Sequence, residues 1–237
     1  MGGEGAAEAV LPPPVASTGA ATAGPTAADA STIADSFAAD AATAAALSAD
    51  TELQAAIGAA AAAVASRRES GGLCLVSGLG KSGAVAIRLA ASLASTGCPA
   101  HFVHAAEWAH GDLGKIADGD AAKATTLIAL SHSGRTAEVV GVCREAASRG
   151  AHVVLVAGGG AHAAASPAGA VADHVLGYQL PEEVEEPYGG APTASIVAQE
   201  AVANALVRAL ADRIGFDAGR FKRNHPGGAL GESLKAA

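Results

Sequence analysis

The sequence predicts an α/β fold, a three-layer α/β/α sandwich built on a central parallel sheet of about five strands. Three observations lead there. Five short runs of β-branched and aliphatic residues, "GLCLVSG", "PAHFVH", "ATTLIALSHSG", "AHVVLVAGG" and "VADHVLGY", are closed by glycine or polar residues, as buried strands are. Helical patterns separate them, over 82–96, 105–110, 136–149 and 192–213. Strands that alternate with helices pair in parallel and are covered on both faces, and ligands of such sheets sit beyond the carboxyl ends of the strands.

Taken in order, residues 1–30 are rich in Ala, Gly, Pro and Thr and contain neither Arg nor Lys, which predicts a disordered tail and matches an Arg-rich transit peptide poorly. Residues 31–237 read as a single domain: N-terminal helices within 31–68, an α/β core over 69–215 and a Gly/Pro-bearing C-terminal tail over 216–237. The openings "STIADSF" and "SADTEL" place Ser, Thr or Asp where the two N-terminal helices would be capped. Aromatic residues make up only 3% of the chain, so the core must be packed from small aliphatics. Cys74, Cys98 and Cys143 lack metal-type spacing and fall in or beside core elements; buried thiols in a reducing compartment are expected.

Composition narrows the function. Half of the 237 residues are hydrophobic, yet no apolar run is long enough to span a bilayer, so a soluble, cytoplasmic protein without a membrane partner is expected. A formal charge of −8 argues against nucleic acid, because phosphate backbones need a basic face. Any anion must be held locally.

Two strand ends offer that. "SGLGKSG", Ser77 to Gly83, opens a helix with three glycines that let backbone N–H groups approach an anion, and Lys81 adds a point charge beside Gly80 and Ser82. The spacing is not that of a Walker A loop. "SHSGRT" sets the hydroxyls of Ser131, Ser133 and Thr136 around Gly134 where the next helix starts, a cradle for one phosphate. Either loop alone also reads as caps and turn residues; two together favour a phosphate site. Lys81 is the hardest to dismiss, since a helix N-terminus repels a lysine unless an anion sits there.

A third stretch, "EWAHGDLG" at 107–114, gathers polar chemistry in an otherwise apolar region. His104, Glu107 and His110 at i, i+3 and i+6 on a helix would leave the third side chain far from the first, so no metal site is expected. Trp108 reads as packing.

In order, "GLGKSG", "STG", "HAAEWAHGDLG", "SHSGRTAE", "APTAS" and "HPGGALG" resemble the arabinose 5-phosphate isomerase family of sugar isomerase (SIS) domains, over roughly residues 50–235. The resemblance implies the SIS fold, no cofactor, and interconversion of D-ribulose 5-phosphate and D-arabinose 5-phosphate through an enediol. Such a reaction needs a base of matched pKa and a donor for the developing oxyanion. By motif it implies Lys81, His110, Glu138 and His225 as catalytic candidates, with an acidic residue before "APTAS" that falls on Glu185 or Glu183. Gly80, Ser82, Ser131, Ser133, Thr136, Thr193 and Ser195 are the implied substrate-binding set. It further implies a homo-oligomer, dimer or tetramer, with active sites near subunit interfaces. His132 and Arg135 depart from the family's usual Asn and acidic residue in that loop, and no CBS domains are expected after "HPGGALG". The alternative is a catalytically silent sugar-phosphate sensor on the same fold, which would have no use for an acid/base set.

Overall fold

The computed structural model describes residues 26–116 and 119–235. Residues 1–25 of the expected tail lie outside the described residues. The chain divides into two units at Ser36/Phe37, and the second carries the sheet. Helix α1 (Ala27–Ala49) starts ahead of the expected "STIADSF" opening. Thr26 and Asp29 explain the earlier start: Thr26 Oγ1 accepts from the Asp29 amide at 3.2 Å while Thr26 N donates to Asp29 Oδ2 at 2.7 Å, a reciprocal capping box. Helix α2 (Thr51–Glu69) starts where "SADTEL" predicts, with Asp50 Oδ1 accepting from Leu53 N at 2.9 Å.

The five predicted strands are all present: β1 (Cys74–Gly78), β2 (Ala100–His104), β3 (Thr126–Leu130), β4 (His152–Gly158) and β5 (His174–Tyr178). All pairs are parallel, in the order β2-β1-β3-β4-β5, with Cys74 opposite both Ala100 and Thr126. Successive side chains point to opposite faces, and the core splits accordingly. Val76, Ile128, Leu130, Val154, Val156 and Leu176 pack against α2, α3 (Gly80–Ser95) and α7 (Ala194–Arg213). Leu75, Leu127, Ala129, Val153 and Leu155 pack against α5 (Ala137–Ser148) and the segments around Trp108 and Ala168. This is the three-layer α/β/α sandwich.

Alanines make the first layer thin. Ala60 and Ala61 of α2 and Ala198 and Ala203 of α7 are fully buried, which lets α2 and α7 pack closely over the sheet around Leu206. Removing a side chain as enclosed as Leu206 typically costs about 2–5 kcal/mol. Arg88 of α3 ties this layer together by pairing with Glu200 and donating to Asn204 Oδ1 at 2.7 Å. Cys74, Cys98 and Cys143 are buried free thiols. Among the described residues no helix is long and apolar enough to cross a membrane.

Two stretches differ from expectation. Residues 105–110 are a turn followed by a 3-10 segment at Trp108–His110, and Gly111, at φ +115°, ends that segment before a second one at Asp112–Lys115. The C-terminal stretch is helical, with α8 (Ala218–Asn224) capped by Asp217 Oδ1, which accepts from Arg220 N at 2.7 Å, and α9 (Gly228–Lys235) after it. Short elements α4 (Asp120–Ala124) and α6 (Pro187–Gly190) and 3-10 segments at Gly160–Ala165 and Gly169–Val171 complete the order.

Candidate active site

The strand order has a reversal between β1 and β3: the chain leaves β1 toward β2, then returns to place β3 on the other side. Loops at such a switch point diverge and leave a crevice between them. Here they are "SGLGKSG" and "SHSGRT". A cavity of about 270 Å³ opens at this point, lined by Leu79, Lys81 and Ser82 from the first loop and Ser131, His132, Ser133 and Thr136 from the second. Pro192, Ser195, Ile196 and Gln199, at the start of α7, form a third wall. The volume lies just below the roughly 300–1,000 Å³ range of small-molecule sites, which suits a compact ligand.

The first loop brings helix α3 hard against the end of β1. A Cβ on Gly78 would stand 3.0 Å from the Ser82 carbonyl oxygen, and one on Gly83 3.2 Å from that of Gly78, so only glycines allow the contact without a shift. No side chain caps α3, whose first-turn amides carry the positive end of its dipole. Lys81 is exposed there and pairs with no carboxylate among the described residues.

The second loop is fixed from behind. Gly134 takes φ +62°, its carbonyl accepts from Ala168 N at 3.1 Å, and a Cβ would overlap Ser166 Oγ. Ser131 is buried with its hydroxyl 3.4 Å from that of Thr136, the N-cap residue of α5, and neither hydroxyl caps the helix. Ser133 Oγ accepts from Arg135 N at 3.2 Å, a turn contact that leaves its proton available to a ligand. Two uncapped helix N-termini, a cation and three hydroxyls thus surround one cavity, the arrangement that holds a phosphate.

The third helix N-terminus already holds an anion. Glu186 Oε2 accepts from Thr193 N at 2.6 Å, Thr193 Oγ1 at 2.8 Å and Ala194 N at 3.2 Å, and Oε1 accepts from Ser195 N at 2.8 Å. Burial pushes this carboxyl up, but hydrogen bonds from Ser195 and Thr193 outweigh it and hold it at about 2. The acidic residue engaged with "APTAS" is therefore Glu186; Glu183 and Glu185 are exposed and make no such contact. A carboxylate this acidic is a poor proton acceptor, and its geometry makes it a clamp on α7. Thr193 donates its hydroxyl to that clamp and does not line the cavity, whereas Ser195 does.

Of the expected residues, Lys81, Ser82, Ser131, Ser133, Thr136 and Ser195 come together, with Gly80 beside Lys81 in the first turn of α3. His110, Glu138 and His225 do not join them within one chain. Glu138, exposed in the first turn of α5, lines a separate cleft with Trp108 and Leu113, next to the turn that carries His110. Trp108 is buried and donates Nε1–H to Ser77 Oγ at 3.2 Å, a packing role. His225 is the C-cap of α8, its ring 4.1 Å from that of Phe221. The neighbouring Asn224 Nδ2 donates to Ser95 O at 3.0 Å, at the last turn of α3. Sixteen residues of helix span ~24 Å, so His225 sits at the opposite end of α3 from Lys81.

Sequence reasoning missed Gln199, Tyr178 and Glu186. Gln199 had a signal: it falls at i+4 from Ser195 on the stripe that continues through Val202 and Leu206, a polar residue on a buried face. It is fully buried and its Nε2 donates to Tyr178 Oη at 3.1 Å, which in turn lies 2.8 Å from His132 Nδ1. Gly158 makes room for that ring, since a Cβ there would stand 2.7 Å from it. Among the described residues, no three His, Cys, Asp or Glu side chains converge as a metal site.

Comparison with known proteins agrees with this architecture. The SIS domain family matches residues 74–209. Arabinose 5-phosphate isomerase KdsD of Pseudomonas aeruginosa is 39% identical over 163 residues, 69% of this chain and 47% of the relative. Arabinose 5-phosphate isomerase KpsF of Escherichia coli is 36% identical over 164 residues, again 69% and 47%. The chain thus spans about half the length of the curated relatives it matches. A protein of E. coli CFT073 solved in complex with arabinose 5-phosphate superposes with a TM-score of 0.69 at 26% identity, covering 85% of this chain and all of the other. With its parallel five-stranded sheet, its paired loops at the switch point and this match over most of its core, the chain belongs to the SIS domain family.

Proposed function

We propose that this chain is a sugar-phosphate isomerase that interconverts D-ribulose 5-phosphate and D-arabinose 5-phosphate through an enediol, as a homo-oligomer and without a cofactor. The observation that carries the reading is the meeting of the uncapped α3 and α5 N-termini over one small cavity with Lys81 and the hydroxyls of Ser131, Ser133 and Thr136. The names of the matched relatives support the sugar. In this reading the phosphate lies in the hydroxyl cradle, held by helix amides that a neutral ligand would not use. Lys81, reaching from the facing helix, offsets charge on the phosphate or on the enediolate oxygen. Proton transfer between the two neighbouring carbons falls to Glu138, His110 and His225. Since His225 is tethered at the far end of α3, it would enter a site only from a second copy, which makes assembly part of the chemistry.

Incubation with D-ribulose 5-phosphate in deuterium oxide tests this. Deuterium should enter the sugar at the carbon next to the carbonyl as D-arabinose 5-phosphate accumulates, and loss of both on Lys81→Ala should follow. One observation favours a second reading: Glu138, His110 and His225 do not line the cavity within one chain. A sensor would bind the sugar phosphate saturably without any exchange, and that outcome would replace the isomerase.

A further inference from the structure

We propose that Gln199 reads a hydroxyl of the sugar in this cavity, accepting a hydrogen bond from it on the carboxamide oxygen, and that Tyr178 relays from Gln199 to set His132 with its Nε2–H as a donor toward the same ligand. The inference rests on the reading of the cavity as a sugar-phosphate site and adds how its polyol end is recognised.

The argument is one of proton counting. Tyr178 has a single hydroxyl proton. Gln199 Nε2 donates to Tyr178 Oη at 3.1 Å, so that proton is free to go to His132 Nδ1, 2.8 Å away. A neutral imidazole that accepts at Nδ1 carries its proton on Nε2, and His132 lines the cavity. Tyr178 is fully buried, and burial keeps its phenol well above the ordinary range, so it stays a donor throughout the working pH. At the other end of the chain of bonds, Gln199 Oε1 is buried and has no partner. Buried acceptors are normally satisfied, and because Gln199 is one of the residues that line the cavity, the missing donor is assigned to the ligand. The ester phosphate, as a dianion seated in the cradle, offers only acceptors and does not meet the need; a sugar hydroxyl does. The cradle and Gln199 therefore divide the ligand between them, the cradle taking the anion and the carboxamide the polyol.

The test separates the two halves by calorimetric titration of inorganic phosphate and of D-arabinose 5-phosphate. Gln199→Met should weaken the sugar phosphate about tenfold, the loss expected of one ligand hydrogen bond, and leave inorganic phosphate unchanged. Ser133→Ala should weaken both. A parallel loss of both ligands in Gln199→Met, or of neither, would overturn the assignment. If wild-type protein binds neither ligand, the reading of the cavity itself fails and takes this proposal with it. Tyr178→Phe supplies a near-isosteric second variant whose readout does not depend on Gln199→Met folding: nitrogen NMR of His132 should show the Nε2–H tautomer in the wild type and a mixture in the variant. An unchanged tautomer would remove Tyr178 from the relay.

Discussion

Replacing Glu186 by glutamine removes the charge that closes the N-terminus of α7 while keeping its shape. A carboxyl held at about 2 against an ordinary 4.5 corresponds in full to roughly 3 kcal/mol of folding free energy. Glu186 is partly exposed, and solvent screening reduces the contribution to about 1–2 kcal/mol. For a chain of this size that is a fall in Tm of roughly 3–6 °C at neutral pH. The sign follows from the depressed value: the stabilisation is fully present above pH 4.5 and is lost as pH falls through 4.5 toward 2. Thermal unfolding of wild type and Glu186→Gln between pH 2 and 7 should therefore give curves that converge at the acid end. A constant gap across that range, or a larger effect from Glu185→Gln, would refute the assignment of the clamp. Ser195 and Gln199 lie on the same helix, so the variant should also bind sugar phosphate more weakly.

Three further outcomes are expected. Ser133→Ala should raise KM about tenfold with kcat little changed, since a phosphate contact is made equally in ground and transition states, and steady-state kinetics would show a fall in kcat if this is mistaken. Mixed Lys81→Ala and His225→Ala proteins, each inactive alone, should recover activity after subunit exchange, because a hybrid assembly restores one site with both residues; no recovery would place His225 outside the site. His152 is buried, and burial together with Arg67 lowers its pKa from 6.5 to about 4 against the pull of Asp173, 3.2 Å away. Its neutral form is the one that folds, so stability should be full above pH 6.5 and decline as pH falls from 6.5 to 4, a slope that His152→Phe should flatten in urea titrations.

The strands were legible because each run is apolar, and the loops after β1 and β3 because glycine and hydroxyl residues stand there at a helix start. Strand order was not: β1, β3 and β4 are buried on both faces and carry no mark of their neighbours. The 105–110 stretch has helix-forming residues, yet it forms a turn and one short 3-10 segment that Gly111 closes, a difference that local pattern underweights. Four glutamates stand close together in "PEEVEEP", and only the path of the chain before α7 selects Glu186. The Gly and Pro of the C-terminal segment concealed α8, whose Asp217 cap is plain once seen. Gln199 was hidden by its company, one of two amides in an Ala-rich helix and the one on its buried face.

Helix α3 begins with Lys81 in its first turn and ends at Ser95, where Asn224 holds the segment that carries His225. It acts as a ruler. One inserted residue would turn its far end by about 100° and lengthen it by ~1.5 Å, carrying Asn224 off its anchor while leaving the cradle untouched. Surface loops of this chain should accept length changes in the usual way, but α3 has a fixed gauge. Any neighbouring copy that receives His225 must be built to the same measure.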